Sequence, residues 1–381
     1  MKSGKIATLS RRFIRRFLEE LRISRNPGLC ENIVGWALVR NWECKRIHEP
    51  FLLQLIHPNP CINSSSNFQR TLLANEHLGF PPQHLVVLPN VTVGSSVGFV
   101  VLAEGSFLCE GKWRVTNVTN HPYYRGECKI SRVIHRHGDW LCAMGYFGGN
   151  YNHWLWDELP RITNALRHIP VDTRFLVSSG APAFVFDSLN AIGIQPEKIV
   201  CQSFDEESRV ERLWFPTPLG HSDWSATAPD VITSLQRQVW NWADADPVRG
   251  SRRLYISRSK ASYRRAVNEL EILQLLKDFG FETIYAEDLS WVDQVRCFAQ
   301  AEAIVGIHGA GLTNMLFSPP GAVVVELHGP VSRLHYWNMA NVCGHRYACV
   351  CSEGSSEHET PESDIQVDLI GLRQAVRQFY S

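Results

Sequence analysis

In the stretch GYFGGNYNHWLWDELPR (residues 145–161), His153 and Asp157 stand four apart, a spacing that puts both side chains on one face of a helix. A carboxylate so placed can hold one imidazole nitrogen and leave the other to accept a proton. With an unperturbed pKa of about 6.5, such a histidine suits removal of a proton from a hydroxyl near neutral pH. A structural His–Asp pair at a helix start accounts for the same spacing. Asn152 is placed to cap that helix. Tyr151, Trp154 and Trp156 are wide enough to stack on a sugar ring, or to fill a core.

The stretch AIVGIHGAGLTNML (residues 303–316) runs an apolar strand into Gly306, His308, Gly309 and Gly311, with a helix expected from Leu312. Glycines at a strand-to-helix turn uncover backbone N–H groups, and a helix start adds a positive dipole end. Those are the ingredients of an anion cradle, although a tight turn packed on a neighbour explains the glycines equally. The spacing is not G-x-G-x-x-G and no P-loop lysine follows, so neither a dinucleotide fingerprint nor a nucleoside-triphosphatase loop is supported. In RLYISRSKASYRRAVNE (residues 253–269), Arg258 falls just past an expected strand, where open α/β sheets take ligands, and its planar fork suits a diphosphate. Lys260, Arg264 and Arg265 follow closely; a solvated basic loop is the ordinary explanation for any one of them. Glu326, read as ending the strand AVVVEL, could accept both hydroxyls of a ribose or stand as a surface carboxylate.

The elements that must position these groups are read from periodicity. Residues 1–30 read as a basic helix and tail, and residues 31–130 as β-rich and irregular, with strand-like runs at 84–88, 98–103 and 113–118. From residue 139 short apolar runs alternate with helical patterns, the habit of a parallel sheet with crossover helices. A first α/β block spans residues 140–242 and closes with a helix bearing Val231, Ile232, Leu235 and Val239; residues 243–251 (ADADPVRGS) read as a linker. A second block holds strands at 254–257, 281–285, 303–306 and 322–327 with helices between, ahead of a polar stretch at 352–363 and a last helix at 365–379. The expected division is thus 1–30, 31–245, 250–345 and 346–381. No internal repeat is found.

With 381 residues, 44% of them hydrophobic, the chain has room for two domains and a substantial core. Its 38 basic and 38 acidic residues cancel, which argues against a nucleic-acid-binding protein and requires any anion site to be local. The 11 cysteines are scattered, without a C-x-x-C pair, and fit a reduced setting. The sequons at Asn63, Asn90 and Asn117 carry no weight without a signal peptide. No apolar run approaches the roughly 18 residues of a membrane span. Phe13, Ile14, Phe17, Leu18 and Leu21 make a stripe in the basic first segment, which either docks on the protein or lies on a membrane surface.

Taken in order, NYNHWLWDELPR, LYISRSKASYRRAVNE and AIVGIHGAGLTNMLFSPPGAVVVEL resemble glycosyltransferase family 61, over about residues 85–345. The resemblance implies an α/β fold of GT-B type, two Rossmann-like domains facing a cleft, here with a β-rich N-terminal extension. It implies an inverting enzyme that moves a sugar from a nucleotide-sugar donor, usually a UDP-sugar, without an essential metal or cofactor. The acceptor would be a hydroxyl of a glycan, a lipid-linked glycan or a glycoprotein. Carried onto this sequence, it makes Arg258 a ligand of the donor diphosphate supported by Arg265 and Asn268. His308, Gly309, Ala310, Gly311, Leu312 and Asn314 would face the donor phosphates, and Glu326 the ribose. His153 and Asp157 become the acceptor-side pair, either one the base. The chain departs from the animal and plant members in showing no N-terminal membrane anchor, so a cytoplasmic site is expected, at most peripheral at the inner membrane surface. Two rivals are weighed. A serine hydrolase would use Ser96 in Gly94-Ser95-Ser96-Val97-Gly98, but the motif order is wrong and no helix follows it. A module that binds nucleotide sugar or glycan without turnover would keep the same pocket.

Overall fold

The computed structural model describes residues 28–109, 115–145, 147–220, 227–247, 250–329, 333–352, 360 and 362–380. The basic stripe expected in the first 25 residues lies outside them. Two sheets organise the rest, and α/β is the architecture observed.

In the first sheet, Glu206–Pro216, Arg132–Cys142, Arg174–Ser178 and Ile199–Gln202 pair parallel in that order. The crossovers are Tyr151–His168 and Ala183–Ala191. On the other side of Glu206–Pro216 the long strand Gln83–Gly94 joins antiparallel, and Phe99–Val101, Phe107–Leu108 and Leu29–Cys30 continue outward from it. Most of the β-rich N-terminal part therefore belongs to one nine-stranded sheet, joined antiparallel through Gln83–Gly94, while Phe51–Gln54 and His77–Phe80 pair with each other apart from it. The strand expected at 113–118 is instead the helix Val115–Asn120. It buries Val118 against Phe99 and Tyr123, and this packing outweighs the β-preference of Val and Thr.

The second sheet is parallel throughout, ordered Phe281–Ile284, Arg252–Ile256, Ala301–Ile307, Val323–His328, Arg346–Cys351 and Cys61–Ile62. Strands covered on both faces must read as continuous apolar runs, and every residue of Val323–His328 is buried. Glu269–Lys277 and Leu369–Tyr380 cover one face. Trp291–Ala299, Ala310–Phe317 and His335–Cys343 cover the other. The expected boundary at residue 345 cuts this sheet, since Arg346–Cys351 lies inside it and Cys61–Ile62 arrives from the N-terminal part. Neither strand has a legible pattern: one is RYACVC and the other two residues long.

Helix Pro229–Ala243, expected to close the first block, serves both. Ile232, Leu235 and Val239 enter a core that runs from Trp154 and Leu159 to Phe298 and Leu316. Gln236 and Trp240 donate to the carbonyls of Leu316 (2.7 Å) and Phe317 (2.9 Å).

Candidate active site

Arg258 follows strand Arg252–Ile256 at the carboxyl edge of the second sheet, and the neighbouring strand Ala301–Ile307 delivers His308 and Gly309 to the same edge. A Cβ at Gly309 would lie 2.1 Å from Nη1 of Arg258, so only glycine lets the guanidinium come this close. Arg258 Nε donates to the Arg264 carbonyl (3.0 Å) and Nη2 to that of Tyr263 (2.9 Å). Arg264, in the left-handed region at φ 55°, turns back so that Nη1 donates to the His308 carbonyl (3.0 Å). Its Nε is buried with no hydrogen-bond partner among the described residues. Burial, then the charge of Arg264, lowers the Arg258 pKa. No ion pair to a carboxylate forms at Arg258, Arg264 or Arg333 among the described residues.

Beside this cluster a cleft of about 490 Å³ opens between the two sheets' elements. Arg258, Gly311, Asn314 and Trp291 come from the second sheet's side, Tyr151 and Phe184 from the first. Tyr151 donates to Asn314 Oδ1 (2.6 Å), whose amide donates to Gln294 (2.9 Å) and to the Gly311 carbonyl (3.2 Å). Asn152 donates to Thr313 (2.9 Å) alongside. Asn152 was expected as the helix cap; the cap is Asn150, which accepts from the N–H groups of Asn152 and His153.

His153 Nδ1 lies 2.9 Å from Asp157 Oδ2. The intervening chain forms a π-helix over Trp154–Glu158. His153 and Asp157 are both partly exposed. They do not line the 490 Å³ cleft; Tyr151, two residues earlier, does. Trp154 and Trp156 are sealed in the core, so of the three aromatics considered for sugar stacking only Tyr151 reaches the cleft.

Several expected donor ligands are used otherwise. Arg265 is committed to Asp364, with Nη2 to Oδ2 at 2.7 Å. Asn268 is buried and exchanges two 2.9 Å hydrogen bonds with the backbone of Val367. Both fasten the C-terminal segment. The helix after the turn is a 3-10 helix from Ala310, not an α-helix from Leu312; Leu312 is buried and its N–H is spent on the Gly309 carbonyl. Ala310 and Gly311 line the cleft. Glu326 does not end its strand, which runs on to His328, and it is fully buried. Its two oxygens meet His308 Nδ1 and the Tyr347 hydroxyl, so it does not present itself to a ribose.

His308, Glu326 and His328 are the one cluster of metal-ligating type among the described residues, with ligand atoms within 4.8 Å of one another. Around a zinc-sized ion neighbouring ligands stand roughly 3 Å or more apart. The direct contact of His308 with Glu326 leaves no such gap, and the cluster is a hydrogen-bonded network. Burial pushes His308 down to about 3, helped by Arg264, Arg333 and Arg258. It also pushes His328 down to about 4 and Glu326 up. Arg333 thus belongs to the basic group; sequence reasoning passed over it, because a single arginine beside a helix start carries no signal of its own.

The sequence model described as Glycosyltransferase 61 matches residues 151–325. The chain is similar to the EGF domain-specific O-linked N-acetylglucosamine transferase of Rattus norvegicus, 31% identical over 112 residues, 28% of this chain and 21% of the relative. The Gallus gallus protein of that name is 30% identical over 145 residues, 35% of this chain and 26% of its own. The protein O-linked-mannose beta-1,4-N-acetylglucosaminyltransferase 2 of Xenopus tropicalis is 35% identical over 109 residues, 27% and 19% of the two chains. The matched stretch spans about a fifth to a quarter of these relatives' length. The matched 151–325 segment holds His153, Asp157, Arg258 and the 308–314 turn, and over it the chain is similar to the glycosyltransferase 61 family.

Proposed function

We propose that this chain is an inverting glycosyltransferase of GT-B type, with a nucleotide-sugar donor, most simply a UDP-sugar, in the cleft between the two sheets. The observation that carries this reading is the group of guanidiniums without carboxylate partners among the described residues at the carboxyl edge of the parallel sheet, beside a cleft walled from both sides. Positive charge left uncompensated in a partly buried place calls for an anion, and a diphosphate fits paired guanidinium forks. As the sugar leaves, charge grows on the diphosphate, and Arg258 with the amides of Ala310 and Gly311 stabilises it. The guanidiniums supply that charge without a metal.

On the acceptor side His153, oriented by Asp157, takes the proton of the attacking hydroxyl through Nε2. The relatives' names describe transfer of N-acetylglucosamine to protein-borne acceptors, which supports a hydroxyl on a glycan or glycoprotein here. Incubation with a panel of UDP-, GDP- and CDP-sugars tests the proposal. Release of nucleoside diphosphate from one of them, abolished by Arg258→Ala, is expected. Thermal stabilisation by a nucleotide sugar with no release, with or without added acceptors, would mean a binding module and defeat the enzymatic reading.

A further inference from the structure

Cys61 and Cys349 face each other in register where the short strand Cys61–Ile62 pairs with Arg346–Cys351, and their sulfurs lie 2.9 Å apart. Neighbours across a sheet ladder have chain spacings of about 4.8 Å, inside the roughly 4.4 to 6.8 Å between Cα atoms that a disulfide requires. Cys349 is buried and Cys61 only partly so, which leaves one sulfur within reach of a small reagent. The segment around Cys61 sits at the open edge of the second sheet. Asn59 N–H donates to the Tyr347 carbonyl (3.0 Å), Cys349 N–H to that of Pro60 (3.1 Å), and Asn63 to Asp368 (2.7 Å). Two residues before Cys349, Tyr347 bonds to Glu326.

We propose that Cys61 and Cys349 are a disulfide-forming pair that fastens the N-terminal segment to the edge of the cleft-bearing sheet when a small disulfide is present. The hydrogen bond from Cys349 lowers the Cys61 thiol to about 7, so Cys61 supplies the attacking thiolate. Cys349 is held up by its bonds with Cys351 and Cys61 and by burial. In the first step Cys61 thiolate attacks one sulfur of a low-molecular-weight disulfide such as oxidised glutathione. The S–S bond breaks and one thiolate departs, taking up a proton. In the second step Cys349 loses its proton to solvent and attacks Sγ of Cys61, releasing the second small thiol. Two protein thiols are oxidised and one small disulfide is reduced to two thiols. A strongly reducing poise keeps the pair open and an oxidising one closes it.

The full chain is equilibrated in glutathione buffers of graded oxidised-to-reduced ratio, quenched with an alkylating reagent and digested for mass spectrometry. Peptides joined through Cys61 and Cys349 are expected, rising with the oxidised fraction and lost after dithiothreitol. Cys351→Ser should keep that link, and Cys349→Ser should leave Cys61 as its glutathione adduct. The thermal midpoint of the oxidised wild-type chain should exceed that of the reduced chain. Recovery of both cysteines as alkylated thiols at the most oxidising ratio overturns the proposal, as does a Cys349–Cys351 bridge in its place. Both readouts use the wild-type chain, so they hold even where a serine at position 349 fails to fold.

Discussion

Tyr151 and Asn314 meet across the cleft through a 2.6 Å hydrogen bond, the first carried by the start of the helical crossover that follows strand Arg132–Cys142, the second by the 3-10 helix at the edge of the other sheet. Tyr151→Phe keeps the edge contact with Phe184, whose ring centroid is 5.0 Å away, but strands the buried Asn314 oxygen. An unsatisfied buried acceptor costs about 1–3 kcal/mol. Urea unfolding should show a lower midpoint with unchanged slope. An unchanged midpoint would mean that the bond does not join the two halves.

The arginines near the cleft separate into two kinds. Arg258→Ala should lower turnover by about 10²- to 10³-fold, the usual loss of one charge-stabilising donor, and Arg264→Ala should lower it in the same direction. Arg265→Ala should leave turnover near wild type, because that side chain is spent on Asp364. His308→Ala should cost less than Arg258→Ala, since His308 stays neutral and is tied to Glu326. Steady-state kinetics on the four variants checks the ranking; equal losses at positions 258 and 265 would refute it.

Gly309→Ala tests the close approach directly. The added methyl would sit 2.1 Å from the Arg258 guanidinium, and one of them must move. Donor KM should rise while the folded chain persists, as read by kinetics alongside circular dichroism. A Gly309→Ala enzyme with wild-type donor KM would show that Arg258 does not need this position.

How much of this was legible in the sequence follows from where the information lies. Strand Ala301–Ile307 and helix Pro229–Ala243 were readable because their local patterns match their burial. Arg258 and the glycine turn were readable because chemistry and strand end coincide within a few residues. Arg346–Cys351 and Cys61–Ile62 were not, since their pairing is set by residues some 285 positions apart, as in Cys61 and Cys349 (separation 288). Arg265 and Arg264 are adjacent and identical in type, and only the left-handed turn at Arg264 sends one inward and the other to Asp364. Glu326 misled because its strand runs two residues beyond it, to His328.

Acid should destabilise the protein in a defined window. Burial holds His345 and His328 down to about 4 and His308 to about 3, below the value near 6.5 of the unfolded chain. The unfolded state therefore binds more protons below pH 6.5, and stability falls as pH drops from there toward 4. Glu326, pushed up by burial, works in the opposite sense and offsets part of the His308 and His328 effect. His345, whose Nε2 lies 2.9 Å from the Met315 carbonyl, has no such partner and is the cleaner reporter. Each fully differential proton contributes about 1.4 kcal/mol per pH unit. His345→Gln should flatten the stability curve between pH 6 and 4 by that order; an unchanged slope would show that His345 is protonated in the fold.

Arg258 is proposed to hold a diphosphate in the cleft between the sheets. Calorimetric titration of UDP into wild-type, Arg258→Ala and Arg265→Ala chains measures it without any acceptor. Binding to wild type and Arg265→Ala alike is expected, with a loss of at least about tenfold in Arg258→Ala, the scale of a charged hydrogen bond. Equal affinity of wild type and Arg258→Ala would contradict it.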